Sequence, residues 1–421
     1  MPTRAFIFLL ICLLPLACTD SGTSTGAAND REAEPLNIEG SWRGVLRSPG
    51  GELPFGVEVS RQEDGYSAVI VNGDERVETS GVGVIGRRVV INFEWYDAEI
   101  SARVAADGQS MTGHWRKTAA EEEDSTLPFT ASRTQSFRFT PATERVFPAK
   151  DIGGRWAVTF TDDESSELAV GEFQQQGDRV LGTFLTPTGD YRYLEGDFVG
   201  SRLRLSTFDG AHAFLFTAEL QADGSLLGDF YSRDTYHATW VGNRDPDASL
   251  PDAWTQVELS NQLGQFRFSF ENIDGQLMTD QDPTLQGKAR LIVLFGTWCP
   301  NCNDEAPVLV DWYDRYRAQG LEIVGLAFEY SGDIERDRQM LKRYRERHGI
   351  EFPLLLAGTS DKLDAAEVLP DIDKVLAYPT TIFVGRDGQV QGIHSGFAGP
   401  GTGEHYVELV TELEARIQAM L

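Results

Sequence analysis

The sequence predicts a multidomain chain in which two repeated all-β units, each a small barrel or sandwich, are followed by an α/β domain. Three observations carry this. The length of 421 residues exceeds one ordinary domain. Residues 37–245 form short alternating apolar stretches broken by Gly, Asp-Gly and Asn-Gly every ten or so residues, the signature of antiparallel hairpins. From residue 262 onward, continuous apolar runs alternate with helical periodicity, as in an α/β sheet.

Composition narrows the class. A content of 41% hydrophobic and 10% aromatic residues is enough to build cores and excludes a wholly disordered chain. Four Cys exclude a disulfide-dense scaffold. Lys and Arg number 37 against 65 Asp and Glu, a formal charge of −28. With no basic excess to release counterions, nucleic acid is excluded as a partner, as is attraction to an anionic membrane surface. The acid excess itself reads as solubility.

Residues 1–18 read as a signal segment. Arg4 precedes the apolar run Ala5–Leu14, and small Ala17 precedes Cys18. The run is shorter than the roughly 20 residues a bilayer span requires. A Cys directly after a small residue resembles a bacterial lipoprotein signal, although Pro15 stands where that family usually has Leu. The resemblance implies that Cys18 is lipidated and Cys12 removed, with residues 19–36, small and polar, as a tether. Thr19 rather than Asp after Cys18 implies the outer membrane. The alternative is plain secretion with an incidental Cys18.

The β region repeats. Gly-Ser-Trp42-Arg-Gly pairs with Gly-Arg-Trp156-Ala-Val, Val57-Glu58-Val59 with Gly171-Glu172-Phe173, and Gly86-Arg-Arg88-Val with Gly200-Ser-Arg202-Leu, all 114 residues apart. Asp107-Gly108 and Trp115 find partners in Asp223-Gly224 and Phe230 at offsets of 116 and 115. Ordered matches at a nearly constant offset delimit one unit at 37–133 and a second at 152–245. Segment 134–151, with Pro141 and Pro148, links them, and 246–261 leads to the last domain. His114, His212 and His237 lack tight ligand spacing and read as strand or loop packing; no metal is expected.

In the last domain, 262–421, Leu291–Phe295 is a buried strand and Asn303–Gln319 a helix. Ile323–Phe328 begins a second strand, Glu335–His348 is a charged helix, and Thr380–Val384 is a third strand. Arg386-Asp-Gly388 turns into Gln389–Ser395, and Gly403–Met420 closes as a helix. Cys299-Pro300-Asn301-Cys302 falls between the first strand and its helix. A helix N-terminus favours a thiolate at Cys299. Two intervening residues put Cys302 one turn on, close enough to bridge. Cys299 is then the attacking thiol and Cys302 the resolving one. Half a zinc site and a purely structural disulfide are the competing readings; a closed zinc site needs two more ligands.

Trp298-Cys299-Pro300-Asn301-Cys302, Glu305, Pro307 and Tyr378-Pro379-Thr380-Thr381 together resemble the thioredoxin fold, and within it the membrane-associated TlpA/ResA-type thiol-disulfide reductases. The resemblance runs from about Phe266 to Leu421. It implies that Pro307 kinks the active-site helix and that Pro379 is the cis-proline whose loop holds substrate beside the pair. It also implies that Glu329 transfers protons with the cysteines, which requires a partly buried carboxyl with a raised pKa. A solvated loop glutamate is the alternative. Thioredoxin itself has a buried Asp six residues before its first Cys; Val293 stands there, which strengthens the case for Glu329.

The function expected is an envelope-anchored, periplasm-facing thiol-disulfide oxidoreductase that reduces protein disulfides through Cys299–Cys302. It needs no cofactor beyond that pair and takes electrons from a membrane donor. The competing functions are a ligand- or protein-binding surface lipoprotein with an accessory redox domain, and a thiol peroxidase. Peroxidases of this fold usually place Thr three residues before the reactive Cys, where this chain has Gly296.

Overall fold

The computed structural model describes residues 36–118, 124–146 and 150–421. The readings at Cys12 and Cys18, the tether to residue 35 and Pro148 lie outside the described residues. No described helix is long and apolar enough to cross a membrane.

The first unit comprises β1 (Gly40–Ser48), β2 (Gly51–Gln62), β3 (Gly65–Asn72), β4 (Glu75–Glu78), β5 (Gly81–Ile85), β6 (Arg88–Phe93), β7 (Ala98–Val104), β8 (Ser110–Lys117) and β9 (Ser125–Ser132). The order β2-β1-β9-β8-β7-β6-β5-β3, with β3 pairing back to β2, closes an eight-stranded barrel, and β4 hangs on β3. The second comprises β10 (Gly154–Thr161), β11 (Ser166–Gln176), β12 (Arg179–Thr186), β13 (Gly189–Asp190), β14 (Leu194–Val199), β15 (Arg202–Phe208), β16 (Ala213–Leu220), β17 (Leu226–Ser232) and β18 (Tyr236–Arg244). It closes in the same order, with β11 to β12 as the closing pair and β13 hung on β12. The barrel-or-sandwich question is therefore settled in favour of the barrel, which leaves no open sheet edge in either ring.

The repeat in sequence is a repeat of contacts. The Trp42 indole N–H donates to Ile38 O at 2.9 Å and Trp156 to Ile152 O at 2.9 Å. Arg133 lies over Trp42 and Arg244 over Trp156, at 4.3 and 4.9 Å from the ring centroids. The same arginines donate to Asn37 O and Asp151 O. The core of the second barrel is filled by aromatic rings, among them Phe216 stacked on Phe230 at 4.4 Å, so it holds side chains rather than a ligand-sized lumen.

The barrels meet through Phe208 at the end of β15. Its ring lies 4.5 Å from Phe55 and edge-on to Phe93 and Trp115 at 5.6 and 5.7 Å. Gly210, at φ 95, follows it against Phe93, where a Cβ has no room. Arg138, between the barrels in sequence, donates to Ser206 O of the second and is paired with Glu195 at 3.0 Å.

The third unit is a seven-stranded mixed sheet. Its elements are β19 (Ser269–Asn272), β20 (Leu277–Thr279), β21 (Ala289–Phe295), α1 (Pro300–Tyr316), β22 (Leu321–Glu329), α2 (Ile334–His348), β23 (Leu354–Thr359), α3 (Lys362–Val368), β24 (Thr380–Val384), β25 (Val390–Ser395) and α4 (Glu404–Met420). The strand order is β20-β19-β23-β22-β21-β24-β25, with β21, β22 and β23 parallel and β24 antiparallel to β21. Every residue of β21 and β22 is buried, as both faces of a central parallel pair must be. Asp333 caps α2 by accepting from Glu335 and Arg336 N–H, and Gly349, left-handed, ends it.

Three details differ from the sequence expectation. The first helix starts at Pro300, not Asn303, because Cys299 sulfur acts as the cap and Pro300 takes the first helical position. Residues 317–319 continue it only as a 3-10 turn. β23, α3 and the β19–β20 hairpin are additional elements; α3 and the hairpin are too short or too polar to announce themselves by periodicity, whereas β23 carries the apolar run Leu354–Ala357. Segment 246–261 is fastened to this third unit: Val257 joins its core, and Leu259 bridges Ile372.

Candidate active site

β21 delivers the chain into Gly296-Thr-Trp, and the peptide turns into α1 at Cys299. The Cys302 N–H donates to Cys299 sulfur at 3.2 Å, so one thiol closes the helix N-terminus on which the other rides. The Cys299 thiol lies 3.4 Å from Tyr378 O, and the Tyr378–Pro379 peptide is cis. Both thiols are free, and both are buried: Cys299 is 5% exposed and Cys302 1%. Burial, followed by the hydrogen bond from Cys299 and the Cys299 charge, pushes the Cys302 thiol well above its ordinary value. Cys302 is therefore held as a protonated thiol.

Trp298 braces the turn. Its indole N–H donates to Phe328 O at 2.8 Å, and its ring stacks on Tyr330 at 4.3 Å. Asn303 donates to both Thr297 O and Cys299 O, at 3.1 and 2.9 Å, and Tyr344 hydroxyl donates to Cys302 O at 2.9 Å. Pro307 lies within α1.

Two buried carboxyls flank the pair. Glu329, at the end of β22, has Oε1 accepting from Thr297 N–H at 2.8 Å and Oε2 2.7 Å from Thr297 Oγ1. Burial pushes it up to about 8, against the pull of the Thr297 bonds. It is a buried group, not a solvated loop glutamate, bonded to Thr297 two residues before Cys299. Glu305, three residues after Cys302 and so on the same helix face, accepts from Thr381 Oγ1 at 3.0 Å. Burial raises it to about 7, and its charge contributes to the rise at Cys302. The sequence marked Glu305 only as part of the resemblance. Its i+3 spacing from Cys302 was the signal for a closer role.

His212 and His237 pair with carboxylates of their own barrel, while His348 Nε2 lies 2.9 Å from Asn303 Oδ1. His212 Nδ1 is 3.1 Å from Asp209, and His237 Nε2 is 2.9 Å from Asp229. Among the described residues no cluster of three or more His, Cys, Asp or Glu could hold a metal ion.

Strand order and paired thiols at a helix start define the class: the C-terminal unit is a thioredoxin-fold domain. A family model described as the AhpC/TSA family matches residues 241–393. The chain is 26% identical over 172 residues to the thiol-disulfide oxidoreductase ResA of Halalkalibacterium halodurans, which covers 41% of this chain and 85% of that protein. It is also 26% identical over 143 residues to ResA of Bacillus subtilis, covering 34% of this chain and 72% of that protein. Among solved structures, a thioredoxin-family thiol:disulfide interchange protein from Chlorobium tepidum matches 39% of this chain and 98% of its own at 22% identity, with a TM-score of 0.26. The chain is thus similar to ResA thiol-disulfide oxidoreductases over about two fifths of its length, and the family model falls in its C-terminal part.

Proposed function

We propose that the protein is an envelope-anchored thiol-disulfide oxidoreductase that reduces protein disulfides through Cys299 and Cys302. The observation that carries this is the pair itself: Cys299 sulfur capping α1 and receiving the Cys302 N–H at 3.2 Å, beside the cis Tyr378–Pro379 peptide. The Cys299 thiolate attacks one sulfur of a target disulfide, and the other target sulfur leaves as a thiolate. Cys302 then loses its proton and attacks Cys299 sulfur, releasing the second target thiol and leaving the pair oxidised. Two electrons pass to the target, and a membrane donor returns them. The loop of Pro379 holds the target chain. Glu329, protonated at neutral pH, and Glu305 are the groups placed to exchange the protons that the two thiols gain and lose. Lipidation at Cys18 ties the chain to the periplasmic side of the outer membrane.

A peroxidase reading has the AhpC/TSA match in its favour. Against it, the Thr297 hydroxyl, two residues before Cys299, is engaged by Glu329 at 2.7 Å rather than by the thiol. Insulin reduction by the purified chain, compared with Cys299→Ser and with peroxide consumption, tests the proposal. Turnover lost in Cys299→Ser supports it; peroxide consumption without insulin reduction replaces it with the second reading.

A further inference from the structure

The second barrel packs on the start of α1 and on the segment after β25. Between β12 and β13 the chain turns through residues 186–189, and this hairpin rests on the start of α1. Asp190 Oδ2 accepts from Asn301 Nδ2 at 3.1 Å and from Gly399 N–H at 2.7 Å. Gly189 approaches Asn301 so closely that a Cβ would stand 2.6 Å from Nδ2. Gly396, whose N–H donates to Pro379 O at 2.9 Å, abuts the same turn, its notional Cβ 3.0 Å from Pro187 O.

An ion cluster fixes the hairpin. Arg192, a non-glycine residue at φ 62, reaches Asp304 in α1 at 2.6 Å, Glu75 of the first barrel at 2.6 Å and Asp209 at 3.3 Å. One guanidinium thus joins all three domains within two residues of Cys302. The positive φ costs energy that surrounding contacts must over-determine. Pro300 and Asn301, at a helix start that a free redox domain would present to solvent, are both buried here. The apolar part of the contact is small, Val170, Leu185 and Ala248 against Ala398. A contact held mainly by polar bonds suits reversible separation of domains.

A target disulfide must bring a sulfur to bonding distance of Cys299, about 2 Å, with its chain passing on either side. The hairpin packs on Asn301, between the two cysteines, and on Gly396, which is bonded to Pro379, the residues that border that approach. We propose that the β12–β13 hairpin is an autoinhibitory cap: closed, it keeps protein disulfides from Cys299, and parting of Asp190 from Asn301 and Arg192 from Asp304 admits them. The cap rests on the reductase reading of the same pair.

The test uses the full reduced chain and iodoacetamide, with mass spectrometry reading alkylation of Cys299, a step in which the thiolate displaces iodide and no disulfide exchange is needed. D304N and D190A each remove part of the latch. Both are expected to label at least about tenfold faster than wild type, the effect of losing one charged hydrogen bond, and to reduce insulin faster in proportion. Labelling no faster than wild type in both overturns the cap. Faster labelling with insulin reduction no better than C299S leaves the cap standing and removes the reductase reading. Should the variants fail to fold, amide exchange in the wild-type chain decides: a protected Gly399 N–H with slow Cys299 labelling supports the cap, and a Gly399 N–H exchanging at the free-chain rate overturns it.

Discussion

Replacing Glu329 with Gln tests whether burial governs this carboxyl. Glu329 is 4% exposed, and burial raises it to about 8 from an ordinary 4.5. The fold tolerates the neutral form, so the stability linked to Glu329 is fully present below about pH 4.5 and is lost as pH rises to about 8. A rise of roughly 3.5 pH units at about 1.36 kcal/mol each gives up to about 5 kcal/mol lost across that window. E329Q stays neutral throughout and abolishes this slope. Its amide oxygen accepts from Thr297 N–H and its amide nitrogen donates to Thr297 Oγ1, as the two oxygens of the protonated acid do, so the neutral state keeps both bonds. E329Q is therefore expected to match wild type below about pH 4.5 and to become more stable than wild type as pH rises, by up to about 5 kcal/mol above pH 8. Urea dependence of amide exchange in β22 peptides reads this domain alone. A constant difference between the two proteins from pH 4.5 to 8.5 would refute the assignment of a buried, neutral carboxyl.

Other outcomes are equally specific. Cys302→Ser should accumulate a mixed disulfide between Cys299 and insulin that mass spectrometry isolates, while Cys299→Ser forms none; trapping by the second variant would reverse the roles of the two thiols. E305Q removes the charge that helps raise Cys302 and should move the pH profile of mixed-disulfide resolution downward, a shift read by quenched-flow; an unmoved profile would take Glu305 out of the proton path. Phe208→Ala empties the aromatic contact between the barrels and should cost about 3–5 kcal/mol in urea unfolding. A cost below about 1 kcal/mol would mean that the barrels do not depend on this ring.

How much of this was legible depended on how local each signal was. Trp42 and Trp156 announced the repeat because each makes its defining bond four residues away, to Ile38 and Ile152. Cys299, Cys302 and the Tyr378–Pro379 step stood out because their spacing is short and chemically specific. Barrel closure left no such mark: the β2–β3 and β11–β12 pairs read as ordinary hairpins, and only the ring of pairings in space makes a barrel of them. The latch was invisible for the same reason. Glu75, Arg192, Asp209 and Asp304 come from three domains and look singly like solvated charges, and residues 186–190 look like any Gly-containing turn. Glu305 lay between these extremes, since its position on the helix was readable but its burial against Thr381 was not.

The reduction potential of the Cys299–Cys302 pair bears most directly on the reductase account. Equilibrating the full chain against defined dithiothreitol or glutathione buffers and counting alkylated thiols by mass gives it. A protein-disulfide reductase predicts a value near that of thioredoxin, about −270 mV. A value near −120 mV, that of a strong disulfide donor, would contradict it and make the pair an oxidant.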